Sequence, residues 1–179
     1  MNHVGTINLE SERLILRRYK KEDSNEIFLG FVNQEEFLYY ANKEKRTLEE
    51  QIKSLENIDE KYLNKEYYNW LIVEKESDNI IGSINLRVNN KNDSVEFNYA
   101  IDNRYTNKGY MTEALLNIKR FCFDMLKVNR FQGGVAENNK ASQRVMEKCG
   151  LKCEGLLRNY LKLKDGYHDM YIFSNVRGA

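Results

Sequence analysis

The chain has 179 residues, 41% of them hydrophobic, enough length and apolar content for one core, which excludes intrinsic disorder as its main description. Its 28 Lys and Arg face 27 Asp and Glu, a formal net charge of +1, so the broad basic face that supports nucleic-acid binding is not implied. Residues 1–13 lack the charged start and apolar stretch of a signal peptide, and no apolar run of about 18 residues occurs. We therefore expect one cytoplasmic domain over residues 1–179 with no membrane contact, monomeric or homodimeric.

In chain order, Leu14-Ile15-Leu16-Arg17 reads as a first strand, and Asp23-Ser24 as the cap of a helix to about Phe31. Thr47-Leu48-Glu49-Glu50 fits a capping box. Behind it Leu48, Ile52, Leu55, Ile58 and Leu63 recur at helical intervals, which predicts a second amphipathic helix. Its acidic residues Glu49, Glu50, Glu56, Asp59 and Glu60 read as a wet face, with recognition of a cationic acceptor as the alternative. Tyr39, Tyr40, Tyr62, Tyr67, Tyr68 and Trp70 either pack in the core or line an acceptor pocket.

Residues 70–74 and 80–86 are β-rich and separated by Glu76-Ser77-Asp78-Asn79, an antiparallel hairpin. Ser94 to Ile101 alternates, with Val95, Phe97, Tyr99 and Ile101 on one face and Glu96 and Asn98 on the other. The period then changes to 3.6, with Ala114, Leu115, Ile118, Phe121, Cys122 and Met125 in one stripe of a helix beginning near Tyr110. A strand from Phe131 to Ala136, a helix from Asn139 to Cys149 stopped by Gly150, and strands 151–157 and 167–174 joined through Asp165-Gly166 complete the chain. The expected class is α/β, a mixed and mostly antiparallel central sheet of about six to seven strands with helices on both faces. Cys122, Cys149 and Cys153 form no C-x-x-C pair, and His3 and His168 have no ligand spacing. They read as inert buried thiols and as surface or hydrogen-bonded imidazoles, with no metal site.

The stretch richest in chemistry is Arg104-Tyr-Thr-Asn107-Lys108-Gly109-Tyr110-Met111-Thr112-Glu113-Ala114, a polar turn that a strand delivers and a helix continues. The first N–H groups of a helix have no internal acceptor and its dipole puts partial positive charge at the same end, so such a turn either binds phosphate or merely starts a helix. Arg104-x-x-Asn107-x-Gly109, Asn139-x-x-Ser142 with Gly150-Leu151, and Asp165-Gly166-Tyr167-His168-Asp169 together resemble the GNAT acetyltransferase superfamily, in particular its RimJ/RimL-like branch. The likeness runs from about Leu9 to Ser174. Asn107 stands where the family's first loop glycine is common, and Asn tolerates a left-handed backbone better than most residues.

The resemblance implies transfer of an acetyl group from acetyl-CoA to an amine by direct attack in a ternary complex. It implies pyrophosphate held by the N–H groups of Asn107, Lys108, Gly109, Tyr110 and Met111, with Arg104 and Lys108 nearby and the Thr112 hydroxyl assisting. Asn139 is expected to contact pantetheine, Ser142 to donate to the departing thiolate, and the backbone of Ser94 to Ile101 to pair with pantetheine. Met146 stands where many relatives carry a tyrosine acid. Glu96 is the candidate base, its alternative being a solvated strand residue. Deprotonating a lysine-like amine at pH 7 costs about 4.6 kcal/mol and an α-amine about 1.4 kcal/mol, which favours an N-terminal α-amine such as that of a ribosomal protein. Two other readings stand beside it: acetylation of a polyamine or aminoglycoside, and a non-catalytic acyl-CoA-binding protein.

Overall fold

A computed structural model describes residues 1–178. Strands β1 (Leu9–Glu10) and β2 (Leu14–Arg17) open the chain, and a 3-10 turn at Lys21–Asp23 leads into α1 (Ser24–Leu29). Then come α2 (Glu35–Tyr40), α3 (Leu48–Ser54) and α4 (Ile58–Lys61). Strands β3 (Tyr68–Glu74), β4 (Ile80–Asn89) and β5 (Ser94–Ile101) form a meander that feeds α5 (Tyr110–Phe121). Strand β6 (Arg130–Ala136), α6 (Lys140–Lys148) and the hairpin of β7 (Lys152–Leu163) with β8 (Gly166–Val176) follow. The strands make one sheet in the order β1-β2-β3-β4-β5-β6-β8-β7, antiparallel everywhere except between β5 and β6. A parallel pair needs a long crossover, and α5 supplies it.

The mixed α/β sheet agrees with the sequence reading, but it has eight strands rather than six to seven. The extra one, β1, is two residues long and too short to show alternation. Helix α2 escaped for the same reason. The single helix expected from Leu48 to Leu63 is two, because the chain leaves the helix after Ser54 and resets its phase. Leu55 and Ile58 are buried, whereas Ile52 is 50% and Leu63 82% exposed. Thr47 does cap α3, accepting from the Glu50 amide at 3.2 Å while Glu50 accepts from the Thr47 amide. Helix α5 runs on into a π-turn at Cys122–Leu126, and the wider turn advances the buried stripe by one residue. Leu126 is buried in consequence and Met125 exposed, the reverse of the expected stripe. Cys122 and Cys149 are buried as expected, with burial pushing the Cys149 thiol up to about 11, but Cys153 is exposed on the edge strand β7.

Each face of the sheet carries its own core. On one face Trp70, Ile84, Phe97 and Phe131 pack against Ala114, Leu115 and Ile118 of α5 and Met146 of α6. On the other Leu71, Val73 and Ile80 pack against Ile27, Leu55 and Ile58 from the α1–α4 region. Among the described residues no helix is long and apolar enough to cross a membrane.

Strands β5 and β6 pair at only three positions, Ser94 with Arg130, Val95 with Phe131 and Glu96 with Gln132, and then diverge. Beyond that point Phe97–Ile101 keeps its β4 ladder and Gly133–Ala136 its β8 ladder. Their facing edges have no strand between them. The Phe97 ring, stacked on Phe131 with centroids 4.6 Å apart, leans across to β6 and occupies the place of a side chain at Gly133.

A polar cluster ties α2 to the far hairpin. The Tyr39 hydroxyl donates to Asp165 Oδ2 at 2.9 Å, and the His168 imidazole lies 2.8 Å from Asp165 Oδ1 and 3.3 Å from Glu137 Oε1. Asn138 Nδ2 donates to the Tyr39 hydroxyl at 3.0 Å, which joins the loop before α6 to the same cluster. Asp165 raises the His168 pKa, with Glu137 adding to it, and His168 in turn lowers that of Asp165.

Two outcomes follow for stability. A Cβ at Gly133 would overlap the Phe97 ring, so Gly133→Ala is expected to cost about 1–3 kcal/mol in a urea titration, and an unchanged midpoint would mean that the ring is free to move. The His168 cation's contribution is complete below its unfolded pKa of about 6.5 and is lost as pH rises through the raised folded value. The Tm gap between wild type and His168→Gln is therefore expected to be largest near pH 6 and to close toward about pH 9. A gap that does not vary with pH would reduce the imidazole to packing.

Candidate active site

The divergence of β5 and β6 opens a cleft of about 1090 Å³ that passes through the sheet from the α5 and α6 side to the α1–α4 side. Both helices that follow the diverging strands start at its mouth. Before α5, Asn107 has φ +59° and Gly109, the N-cap residue, φ +82°. Two left-handed residues in three turn the chain so that the first amides of α5 point outward, and Asn107 adopts the conformation a glycine there would supply. Arg13 closes the outer side of this turn: its guanidinium donates to the Lys108 carbonyl at 3.0 Å, pairs with Glu113 at 2.7 Å and lies over the Tyr110 ring.

Asn107, Gly109, Tyr110, Met111 and Thr112 line the cleft, as do Glu96, Asn139 and Ser142. Arg104 and Lys108 are not among the lining residues. The Arg104 guanidinium is held by the buried Asp102 carboxylate, Nε at 3.0 Å from Oδ1 and Nη2 at 2.6 Å from Oδ2, while the Lys108 ammonium lies over the Tyr105 ring. The Tyr110 side chain turns away to donate to Glu74, so that residue offers the cleft its backbone.

Asn139 is the N-cap of α6, its Oδ1 accepting from the Ser142 amide at 3.0 Å. The helix ends with Gly150 N–H donating to the Glu147 carbonyl and Leu151 N–H to that of Met146, a Schellman closure that fixes its length. One turn in from the cap, Ser142 Oγ lies 2.5 Å from the Tyr99 hydroxyl. Burial pushes the Tyr99 phenol well above its usual range, with the Ser142 hydrogen bond opposing, so Tyr99 is a neutral O–H at physiological pH. The sequence reading placed Tyr99 only on an apolar face. No pattern in the chain pointed to its meeting with Ser142, which depends on the crossing of β5 and α6.

Ser94, Val95 and Glu96 hydrogen-bond along β6, so the free backbone edge is Phe97–Ile101, shorter than the Ser94–Ile101 stretch expected from sequence. Glu96 is half-buried on the face opposite Phe97 and Tyr99, beside Arg87 of β4. Of the aromatic group, Tyr68 and Trp70 are core, whereas Tyr40 and Tyr67 line the cleft. None of the acidic residues of the α3–α4 segment lines it. Sequence reading placed Asn98 beside Glu96 without giving it a role and passed over Tyr19, Arg46, Arg87, Asn69 and Asn85; for Asn85 and Arg87 the signal was a polar residue at alternate positions of β4. Among the described residues no group of three or more His, Cys, Asp or Glu side chains is placed to hold a metal ion.

Residues 13–152 match the family model described as an acetyltransferase (GNAT) domain. The chain is 28% identical over 170 residues to the uncharacterized N-acetyltransferase YoaA of Bacillus subtilis (strain 168), covering 94% of this chain and 96% of that protein. Its fold is similar to the ribosomal-protein-S5-alanine acetyltransferase of Vibrio fischeri, with a TM-score of 0.82, 20% identity, and 96% and 97% of the two chains covered. It is also similar to the microcin C7 self-immunity acetyltransferase MccE solved with acetyl-CoA and AMP, with a TM-score of 0.81, 20% identity and 93% of each chain covered. With the family match spanning most of the chain and the parted strands in place, the chain belongs to the GNAT acetyltransferase family.

Proposed function

We propose that this acetyltransferase moves the acetyl group of acetyl-CoA to an N-terminal α-amine of a peptide or protein, in the manner of the RimJ/RimL-like branch, with a ribosomal protein as one such acceptor. The observation that carries the donor half is the free Phe97–Ile101 edge lying between the starts of α5 and α6. An extended molecule with amide groups and an anionic end fits it: amides pair with the strand edge, and the pyrophosphate meets the first amides of α5, from Asn107 to Met111. In this reading Thr112 adds a hydroxyl, Lys108 adds long-range positive charge from outside the cleft, Arg104, neutralised by Asp102, braces the turn, and Asn139 meets pantetheine while capping α6.

At the reacting centre the amine nitrogen attacks the thioester carbonyl, an N–C bond forms and the C–S bond breaks. Ser142 donates a hydrogen bond to the leaving thiolate, which takes its proton from solvent. Either hydroxyl of the Tyr99–Ser142 pair, 2.5 Å apart, can be the donor, and this reading has Tyr99 donate to Ser142 Oγ so that the serine proton is free for that task. The proton lost by the amine passes to the Glu96 carboxylate, directly or through water, and on to solvent. One half-buried carboxylate suits an α-amine, whose deprotonation at pH 7 costs about 1.4 kcal/mol, better than a lysine-type amine. Met146 is buried and cannot ionise, which leaves hydrogen-bond donation to the thiolate to the hydroxyl pair.

Ser142→Ala is expected to lower kcat by about 10²-fold or less with acetyl-CoA affinity retained, and Glu96→Gln to move the alkaline-rising limb of the rate profile. Unchanged turnover in Ser142→Ala would remove the hydroxyl from the mechanism. An unaltered profile in Glu96→Gln would leave deprotonation to water alone.

A further inference from the structure

The acceptor side of the cleft has a floor that is polar although three central strands build it. Cross-strand register sets Asn69, Asn85 and Asn98 side by side on β3, β4 and β5. Arg87 and Glu96 make the next row on β4 and β5, and Ser83 lies beyond the asparagines on β4. All of these line the cleft. Asn69 Nδ2 donates to the Tyr67 hydroxyl at 3.1 Å, but its Oδ1 is buried and accepts from nothing among the described residues. A buried carbonyl oxygen left in that state favours any molecule that brings it an N–H.

The charge on this side is the second observation. Lys43, Arg46, Lys61 and Arg87 line it together with two carboxylates, Glu36 and Glu96. None of the four cations forms an ion pair among the described residues. Arg46 is built in: its Nη1 donates to Oε1 of the buried Gln51 at 3.1 Å and its amide donates to Asn33 Oδ1 at 2.8 Å. Burial and the nearby Arg46 charge lower the Lys43 pKa, as expected where like charges gather without a counter-ion. The pyrophosphate of the donor does not account for these groups, since Arg87 projects from the face opposite the one that α5 and α6 cover.

We propose that the acceptor is an acidic N-terminal peptide, its amine at Glu96, its backbone amides on the asparagine row and its first carboxylate side chains at Arg46 and Arg87. This rests on the transferase reading above and names the substrate class of that site. A polyamine or an aminoglycoside presents only cations to the same surface and is repelled from it.

The test uses three C-terminally amidated peptides with the same N-terminal serine and acidic, neutral or basic residues at the next two positions, plus spermidine, with CoA release as the readout. The expected result is a KM for the acidic peptide lower than for the basic one by about tenfold or more, a ratio that shrinks as salt is raised. Arg87→Gln and Arg46→Gln are each expected to bring the acidic-to-neutral KM ratio toward one. Arg87 is exposed on its strand, so that variant keeps the test valid if loss of the Arg46–Gln51 contact impairs folding. Equal KM values, a preference for the basic peptide, or faster turnover of spermidine would overturn the proposal. If acetyl-CoA binds and no amine releases CoA, the transferase reading fails on its own. Calorimetric binding of the peptides to the enzyme–CoA complex then decides the charge preference, which equal affinities would refute.

Discussion

The parting of β5 from β6 after Glu96 and Gln132 is the constraint on which the rest of the molecule depends. Backbone N–H and C=O groups in a sheet interior are almost always paired, so two central strands that separate need a physical cause and leave a specific consequence. The cause lies in the side chains at the fork: Phe97 leans onto β6 over Gly133, and the adjacent Gly134 gives its space to the Met170 side chain. The consequence is a pair of internal strand edges at mid-sheet, open where the helices that follow both strands begin. A strand edge offers amide pairing, and a helix start offers unpaired N–H groups and partial positive charge. Put together, they define a slot for a long molecule with amides along its length and negative charge at one end.

The two faces of the sheet then divide the work. The face under α5 and α6 is apolar and buried, and it carries the Tyr99–Ser142 pair and the capped start of α6 beside the slot. The other face begins apolar under α1, α3 and α4 and turns polar toward the fork, where Ser83, Asn85, Asn98 and Glu96 replace aliphatic residues. Central strands gain most from burial, so polar side chains there give up hydrophobic stabilisation of roughly 25 cal/mol per Å² of apolar area they would otherwise cover. The proposed acceptor site rests on these polar residues placed against that gradient. The Tyr39–Asp165–His168 cluster holds the roof of this side, joining α2 to the β7–β8 turn and to the residues just before Asn139.

Much of the fold was legible because its long elements have clean periods. Strands β3 and β4 follow from β-rich runs around a cluster of turn formers, β5 from alternation, α5 from a 3.6 stripe and the start of α3 from a side-chain cap. What escaped was short or depended on distant partners. Helix α2 and strand β1 are below the length at which a period can show, and the break between α3 and α4 lies inside a run whose spacing still looked helical. The motif at Asn107 to Thr112 was readable because turn chemistry is local: an Asn and a Gly at φ > 0 are what the bend before α5 requires. The meeting of Tyr99 with Ser142 and the alignment of three asparagines across three strands are products of register and crossing, which no window of sequence contains.

The central claim is that the fork between β5 and β6, with the two helix starts beside it, is the acetyl-CoA slot. Hydrogen–deuterium exchange of the full chain with and without acetyl-CoA tests it at the level of single backbone segments. The account requires ligand-dependent protection in Phe97–Ile101 and in 107–112, with smaller changes around 139–142 and little in the β7–β8 hairpin. Protection confined to other segments, or none at saturating acetyl-CoA, would contradict it.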